Sequence, residues 1–204
     1  MKKIAVLASG SGSNLQSLID NIHNKDGVIC AVISDRKGAY ALERANTAGI
    51  PAIHISRLKY ENDGDYNNEI LTVLEQHGAD GVVLAGYLKI LTPKFIDTYK
   101  NKIINIHPSL IPSFCGDGFY GMRVHNAVYE KGVKITGATV HFVDHGVDSG
   151  PIIMQKAVEI NQDDLPEDIQ KKVLEIEHKI LVQSVRYFLC DKIDIINNRV
   201  YINE

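Results

Sequence analysis

Short runs rich in valine and isoleucine, at residues 3–8, 28–34, 81–85 and 103–106, alternate along this chain with stretches whose apolar residues recur at helical spacing. That alternation limits the fold more than any other feature. A continuous apolar strand is buried on both faces, and buried strands separated by helices pair in parallel within a layered α/β architecture. After the first run, Leu15, Leu18, Ile19 and Ile22 mark a helix. Residues 39–48, closed by Gly49, mark a second helix, 51–55 a further strand, and 65–76, with Ile70, Val73 and Leu74 inward, a third helix. Thr92 and Pro93 read as an N-cap and first helical position.

The second half changes character. Residues 124–131 read as a helix, 134–143 as a long alternating strand, 151–158 as its partner, and 165–189 as the longest helix, apolar at Ile169, Val173, Ile176, Ile180 and Val185. A small hairpin around Asn197 and Asn198 closes the chain. The expected fold class is α/β: an open, mainly parallel twisted sheet with a Rossmann-like N-terminal half, helices on both faces, C-terminal antiparallel strands and one long helix. A length of 204 residues suits one domain, 1–204, with a Rossmann-like half at 1–100 that carries a glycine loop and a second half at 101–204 that carries the candidate chemistry.

Composition removes several classes. A formal charge of −3 with scattered lysines and arginines lacks the basic face of a nucleic-acid binder. Cys30, Cys115 and Cys190 are odd in number, far apart and without a Cys-x-x-Cys pair, which argues against a disulfide framework or a thiolate zinc site. The apolar run after Met1 is too short for a signal peptide, and no window approaches the length of a membrane span. A cytoplasmic setting with small-molecule partners is the expectation; the sequence leaves open a monomer or a homodimer.

Polar residues interrupt the apolar logic at one strand end. In Ile103-Ile-Asn-Ile-His-Pro, residues two apart share a face, so Asn105 and His107 point the same way about 7 Å apart along the chain before Pro108 removes a ladder donor. Ligands of open α/β sheets bind beyond the carboxyl ends of the strands, so the Gly12 loop, residues 86–91 and residues 105–108 are expected to line one cleft, joined by Asp148. An amide donor, an imidazole and a carboxylate that orients it suit stabilisation of an oxyanion while an external amine attacks a carbonyl. Ser109 lacks the Gly-x-Ser-x-Gly elbow, so a covalent acyl-enzyme is not expected.

Several positions carry two readings. Ser9-Gly-Ser-Gly-Ser-Asn leads from strand to helix, so Gly12, Ser13 and Asn14 form either an anion site at a helix N-terminus or a tight connection; the match to dinucleotide and triphosphate fingerprints is weak. Asp148 is either a turn residue or the partner of His107, and Tyr87 to Leu91 either core or ligand wall. His23, His54, His77 and His178 read as structural. If His141 and His145 share a strand, they lie about 13 Å apart, too far for one ion, so no metal is expected. The glycine-rich loop 113–121 reads as a mobile flap.

Asn-x-His-Pro-Ser-Leu-x-Pro at 105–112, Gly-Ala-Thr-Val-His-Phe-Val at 137–143 and Asp-Ser-Gly-Pro-Ile at 148–152 together closely resemble the folate-dependent formyltransferases that act on phosphoribosylglycinamide. The resemblance runs nearly end to end, through Gly-x-Gly-Ser-Asn-Leu-Gln at 10–16, Leu-Ala-Gly-Tyr-Leu at 84–88 and Glu-His at 177–178. It implies transfer of the formyl group of 10-formyltetrahydrofolate to the amine of 5-phosphoribosylglycinamide in purine biosynthesis, without a metal. It further implies that Gly12, Ser13 and Asn14 cradle the ribose phosphate and that Glu177 contacts the same substrate. Leu88, Lys89, Ile90 and Leu91, with Asp144, His145, Gly146, Val147 and Asp148, match the segments that hold the pterin, and Asn105 also faces the folate. Asn105 and His107 match the pair that polarises the formyl oxygen, Asp148 the carboxylate that raises the histidine's pKa, and His141 a supporting histidine. Family members usually carry a basic residue just before the helix at 65, where this chain has Asp63-Gly64; Arg57 and Lys59 are candidate substitutes.

Rivals are separable in principle. Methionyl-tRNA formyltransferase and formyltetrahydrofolate deformylase share the Asn-x-His-Pro core, but their extra carboxy-terminal or regulatory domains are not expected in a chain of this length. A nicotinamide-binding oxidoreductase would need a third glycine in the loop; Asp35 supplies only its acidic residue. A non-catalytic nucleotide-binding module would give Asn105, His107 and Asp148 no joint task.

Overall fold

The computed structural model describes residues 1–203. Seven strands form a mixed, mostly parallel sheet in the order β3-β2-β1-β4-β5-β6-β7, with helices around it and a separate two-stranded sheet near the carboxy terminus. The chain divides into two compact units, Met1–Ile104 and Asn105–Glu204, a few residues from the expected midpoint.

The first unit contains β1 (Lys3–Leu7), β2 (Val28–Ser34), β3 (Ala52–His54) and β4 (Gly81–Leu84), with α1 (Ser13–Asn21), α2 (Tyr40–Thr47), α3 (Asp63–Gln76) and α4 (Pro93–Thr98). Its strands are parallel, with β1 between β2 and β4, so Val6 pairs with both Val32 and Val83. The burial expected of continuous apolar runs is complete in β1, where Ile4, Ala5, Val6 and Leu7 are fully enclosed. Past the strand ends, the Ala8 N–H still donates to the Ile33 carbonyl and the Ser9 N–H to the Gly86 carbonyl, so the loop after β1 leaves from a fixed point.

The starts of α3 and α4 differ in detail from the sequence expectation. Helix α3 begins at Asp63 rather than Asp65, because Asn62 supplies the cap: its side-chain oxygen accepts the Asp65 N–H at 2.9 Å. Thr92 does not cap α4 with its side chain; its backbone N–H instead donates to the Asn67 side-chain oxygen.

The second unit carries most of β5 (Ile103–His107), then α5 (Met122–Lys131), β6 (Ile135–Phe142), β7 (Ile152–Glu159), α6 (Pro166–Leu189), β8 (Ile193–Ile196) and β9 (Arg199–Ile202). Strand β5 runs one residue further than expected and ends at His107, before Pro108. Strands β6 and β7 are antiparallel, with Thr139 opposite Gln155 and an irregularity between Val140 and His141. Helix α6 packs on both strands, burying Ile169, Val173, Leu181 and Val185, and α5 packs on α6. Asn197 and Asn198 turn the last hairpin with φ of 49° and 62°, the two positive values that a tight two-residue turn requires. No helix among the described residues is long and apolar enough to cross a membrane.

Gly137 in β6 marks a close approach of two strands in this unit. A Cβ there would lie 2.1 Å from the Lys156 carbonyl oxygen and 2.8 Å from Leu110 Cδ2. The neighbour is backbone of the paired strand, which cannot give way without breaking the ladder. Gly137→Ala is expected to destabilise the protein by about 1–3 kcal/mol, the usual range for overpacking, as measured by urea unfolding; an unchanged unfolding midpoint would contradict this packing.

Candidate active site

In the second unit, two buried histidines meet around one carboxylate, and a half-buried asparagine joins one of them. His107, at the end of β5, places Nδ1 3.5 Å from Asp148 Oδ2, and His141, near the end of β6, places Nε2 3.7 Å from Asp148 Oδ1. The Asn105 amide nitrogen lies 3.1 Å from the same His141 nitrogen. Asn105 and His107 thus share a strand face as expected, but they are connected through His141 and Asp148 rather than directly. Asp148 has φ of 54°, so it is both a left-handed turn residue and the partner of His107; the two readings of the sequence hold together.

Backbone carbonyls fix the protons. The Phe142 carbonyl, 2.8 Å from His141 Nδ1, can only accept, so that nitrogen carries hydrogen and Nε2 is left to accept one amide hydrogen of Asn105. The second hydrogen of that amide has no partner among the described residues, which suits it to a ligand oxygen. The Phe114 carbonyl, 2.9 Å from His107 Nε2, likewise requires a proton there.

Electrostatics correct one expectation. Burial holds the His107 imidazole below its ordinary value of 6.5; the Asp148 carboxylate and the Phe114 carbonyl raise it, but not enough to reverse the sign. Burial would push Asp148 up, yet its neighbours His141 and His107 and the Gly116 N–H together bring it below the usual carboxylate value. The carboxylate therefore carries the charge at neutral pH, and His107 is largely neutral there despite its partner.

Loop 113–121 departs from the mobile-flap reading at its start. Ser109 Oγ donates to the Ser113 and Phe114 carbonyls, the Phe114 carbonyl also accepts from His107, and the Gly116 N–H donates to Asp148 Oδ2 at 3.0 Å. Thr139 Oγ1 donates to the Ser109 carbonyl and accepts from the Ile111 N–H, and Gln155 donates to Ile111 and Thr139. Sequence reading missed these contacts because most run through backbone atoms, which no residue type announces.

Other candidates fall elsewhere. Asp144 accepts from the Gly146 N–H and Ser149 hydroxyl, building the turn in which His145 and Val147 are exposed. His145 lies in that turn, not on β6 with His141. Glu177 is buried on α6. His23 is structural, its Nδ1 accepting the Ile29 N–H.

In the first unit, Gly12 has φ of 71° and no room for a Cβ, which would fall 2.8 Å from Ala41 Cα. It hands over directly to α1, which starts at Ser13 with Asn14 buried. Helix α2 holds this loop in place: the Ala41 N–H donates to the Gly10 carbonyl, and Arg44 donates to the Ser11 carbonyl and to Gln16. Arg44 carried no sequence signal for this. Further along, the Leu88 N–H donates to Ser9 Oγ, Leu88 and Ile90 are exposed, and Leu91 is buried. Arg57 pairs with Asp63 and donates to the Tyr60 carbonyl, so it is already engaged within its own loop.

The sequence profile of the formyl transferase family matches residues 2–185. The chain belongs to that family. It is 38% identical over 205 residues to phosphoribosylglycinamide formyltransferase of Haemophilus influenzae, covering 100% of this chain and 94% of the relative. It is 38% identical over 187 residues to the chloroplastic phosphoribosylglycinamide formyltransferase of Arabidopsis thaliana, covering 90% of this chain but 64% of that longer protein. Its fold matches the crystal structure of glycinamide ribonucleotide transformylase 1 from Symbiobacterium toebii with a TM-score of 0.94 and 39% identity, over 100% of this chain and 95% of the other. Membership of the formyl transferase family implies an enzyme with a folate-derived formyl donor.

His125, on α5, is a further buried histidine of this formyl transferase. Burial and the neighbouring His107 imidazole push it down to about 4. The unfolded chain binds that proton near 6.5 and the folded chain only near 4, so between those values the unfolded state holds more protons and stability rises with pH. Acidification across that window is expected to remove about 3 kcal/mol through His125 alone. His107 contributes in the same direction just below 6.5, whereas Asp148 acts only below the ordinary carboxylate value. His125→Gln should flatten the loss of stability between pH 6.5 and 4, measured by urea unfolding at a series of pH values; parallel losses in variant and wild type would contradict this.

Proposed function

We propose that this chain transfers the formyl group of 10-formyltetrahydrofolate to the amine of 5-phosphoribosylglycinamide in de novo purine biosynthesis, by direct attack with no covalent enzyme intermediate. The observation that carries the reading is the half-buried Asp148 carboxylate between the buried His107 and His141, with the Asn105 amide joined to the same cluster. The relatives' names supply the substrate.

In this reading, Asn105 and His107 donate to the formyl oxygen as the amine attacks its carbon and negative charge develops there. The formyl oxygen competes with the Phe114 carbonyl for the proton on His107 Nε2. The Asp148 carboxylate favours the His107 ring protonated on both nitrogens, and that form is the stronger donor to the developing oxyanion. Collapse of the tetrahedral adduct breaks the bond to the folate nitrogen, which takes up the proton that the attacking amine gives up, and leaves the formyl group on the acceptor amine. Gly12, Ser13 and Asn14 hold the ribose phosphate by the N–H groups of the first turn of α1, and Glu177 contacts the same substrate. The stretch of Leu88, Lys89, Ile90 and Leu91, exposed except at Leu91, and the turn formed by Asp144, His145, Gly146, Val147 and Asp148, hold the folate. The two compact units serve this reaction as one formyltransferase domain, which functions in the cytoplasm as a monomer or homodimer and takes no metal.

The test incubates the protein with 10-formyltetrahydrofolate, with and without glycinamide ribonucleotide. Folate product is expected only when the acceptor is present; equal product without it would instead indicate a hydrolytic deformylase. His107→Ala is expected to reduce turnover by at least ~100-fold with the fold intact by circular dichroism, and near-normal turnover would remove His107 from the mechanism.

A further inference from the structure

Asp35 follows the last residue of β2, and its side chain is 4% exposed. Its Oδ1 is buried without a hydrogen-bond partner, and the cation paired with Oδ2 is Lys89, whose Nζ lies 3.9 Å away, beyond hydrogen-bond length. A buried carboxylate with one orphaned oxygen and one long ion pair costs more stability than it returns. Its retention calls for another explanation.

The surroundings supply one. Tyr66 and Tyr87 are buried beside Asp35, and their hydroxyls share a hydrogen bond of 2.5 Å. Burial above all keeps both phenols above their ordinary value, with the Asp35 carboxylate a lesser contributor in the same direction, so both stay protonated. Tyr87 opens a segment that is pinned again by the Leu88 N–H on Ser9 Oγ and by the Thr92 N–H on Asn67. Between those pins the chain projects outward, with Ile90 78% exposed. On that projecting stretch, the pair between Lys89 and Asp35 is the one side-chain tether among the described residues.

We infer that Asp35 is a positioning residue for the formyl donor: acting through Lys89, and beside the Tyr66–Tyr87 hydroxyl pair, it fixes the stretch from Leu88 to Leu91 against which the folate binds. This rests on the proposed role of that stretch. A structural role for Asp35 predicts lost stability on its neutralisation; a positioning role predicts retained or increased stability and weaker use of one substrate.

The experiment compares wild type, Asp35→Asn, Lys89→Met and the double variant, each as the full chain, by steady-state kinetics in both substrates and by thermal unfolding. Asp35→Asn is expected to raise the KM for 10-formyltetrahydrofolate roughly fivefold while kcat, the KM for glycinamide ribonucleotide and the unfolding midpoint are not reduced or worsened. Because Asp35 acts through Lys89, the double variant should be no worse than Asp35→Asn alone. An unchanged donor KM in Asp35→Asn, or a fully additive double variant, overturns the positioning role and leaves the transferase reading standing. Wild-type protein that transfers no formyl group overturns both. Tyr87→Phe, which keeps the ring and removes one hydroxyl, should raise the donor KM in the same selective way; an equal change in both KM values would mark the tyrosine pair as structural.

Discussion

The candidate active site depends on one carboxylate that two buried histidines share. Asp148 sits within ion-pair distance of His107 and His141 while burial opposes charge on His107 and on Asp148 itself. The compromise is a low-lying carboxylate and an imidazole below its ordinary value. In the proposed reaction the Asp148 carboxylate favours the imidazole protonated on both nitrogens, the stronger donor to an oxyanion, and the Gly116 N–H holds that carboxylate in place. A fully exposed histidine would titrate near neutrality but would lack this orientation.

Backbone groups complete the arrangement. The Phe114 and Phe142 carbonyls orient the two rings, and the Gly116 N–H orients the carboxylate. Ser109, Thr139 and Gln155 then hold the chain that bears Phe114. The second unit therefore keeps its chemistry rigid through hydrogen bonds that run from β6 and β7 into the loop after β5. In the first unit the same principle acts on the glycine loop, where Arg44 and the Ala41 N–H fix the backbone that precedes α1.

Much of this was legible in the residues. Strands buried on both faces must be apolar throughout, so β1, β2 and β4 are written as continuous runs, and the paired asparagines of the last hairpin meet a turn that demands positive φ. Asn105, His107 and Asp148 were visible as polar groups at strand and turn ends, and the resemblance tied them together. What was illegible has physical causes. The start of α3 was hidden because Asn62 caps it from within an acidic, glycine-containing stretch. The ties on loop 113–121 run through carbonyl and amide groups common to every residue. The direction of the His107 shift depends on how deeply the ring is buried, and Asp35 declared its cost only once its orphaned oxygen was seen.

The central claim is that Asp148 lifts His107 against a larger effect of burial. Titrating the His107 ring by nuclear magnetic resonance in wild type and in Asp148→Asn tests it directly. A midpoint below 6.5 in wild type that falls further in the variant is the predicted result; a midpoint that does not move when Asp148 is neutralised would contradict the account.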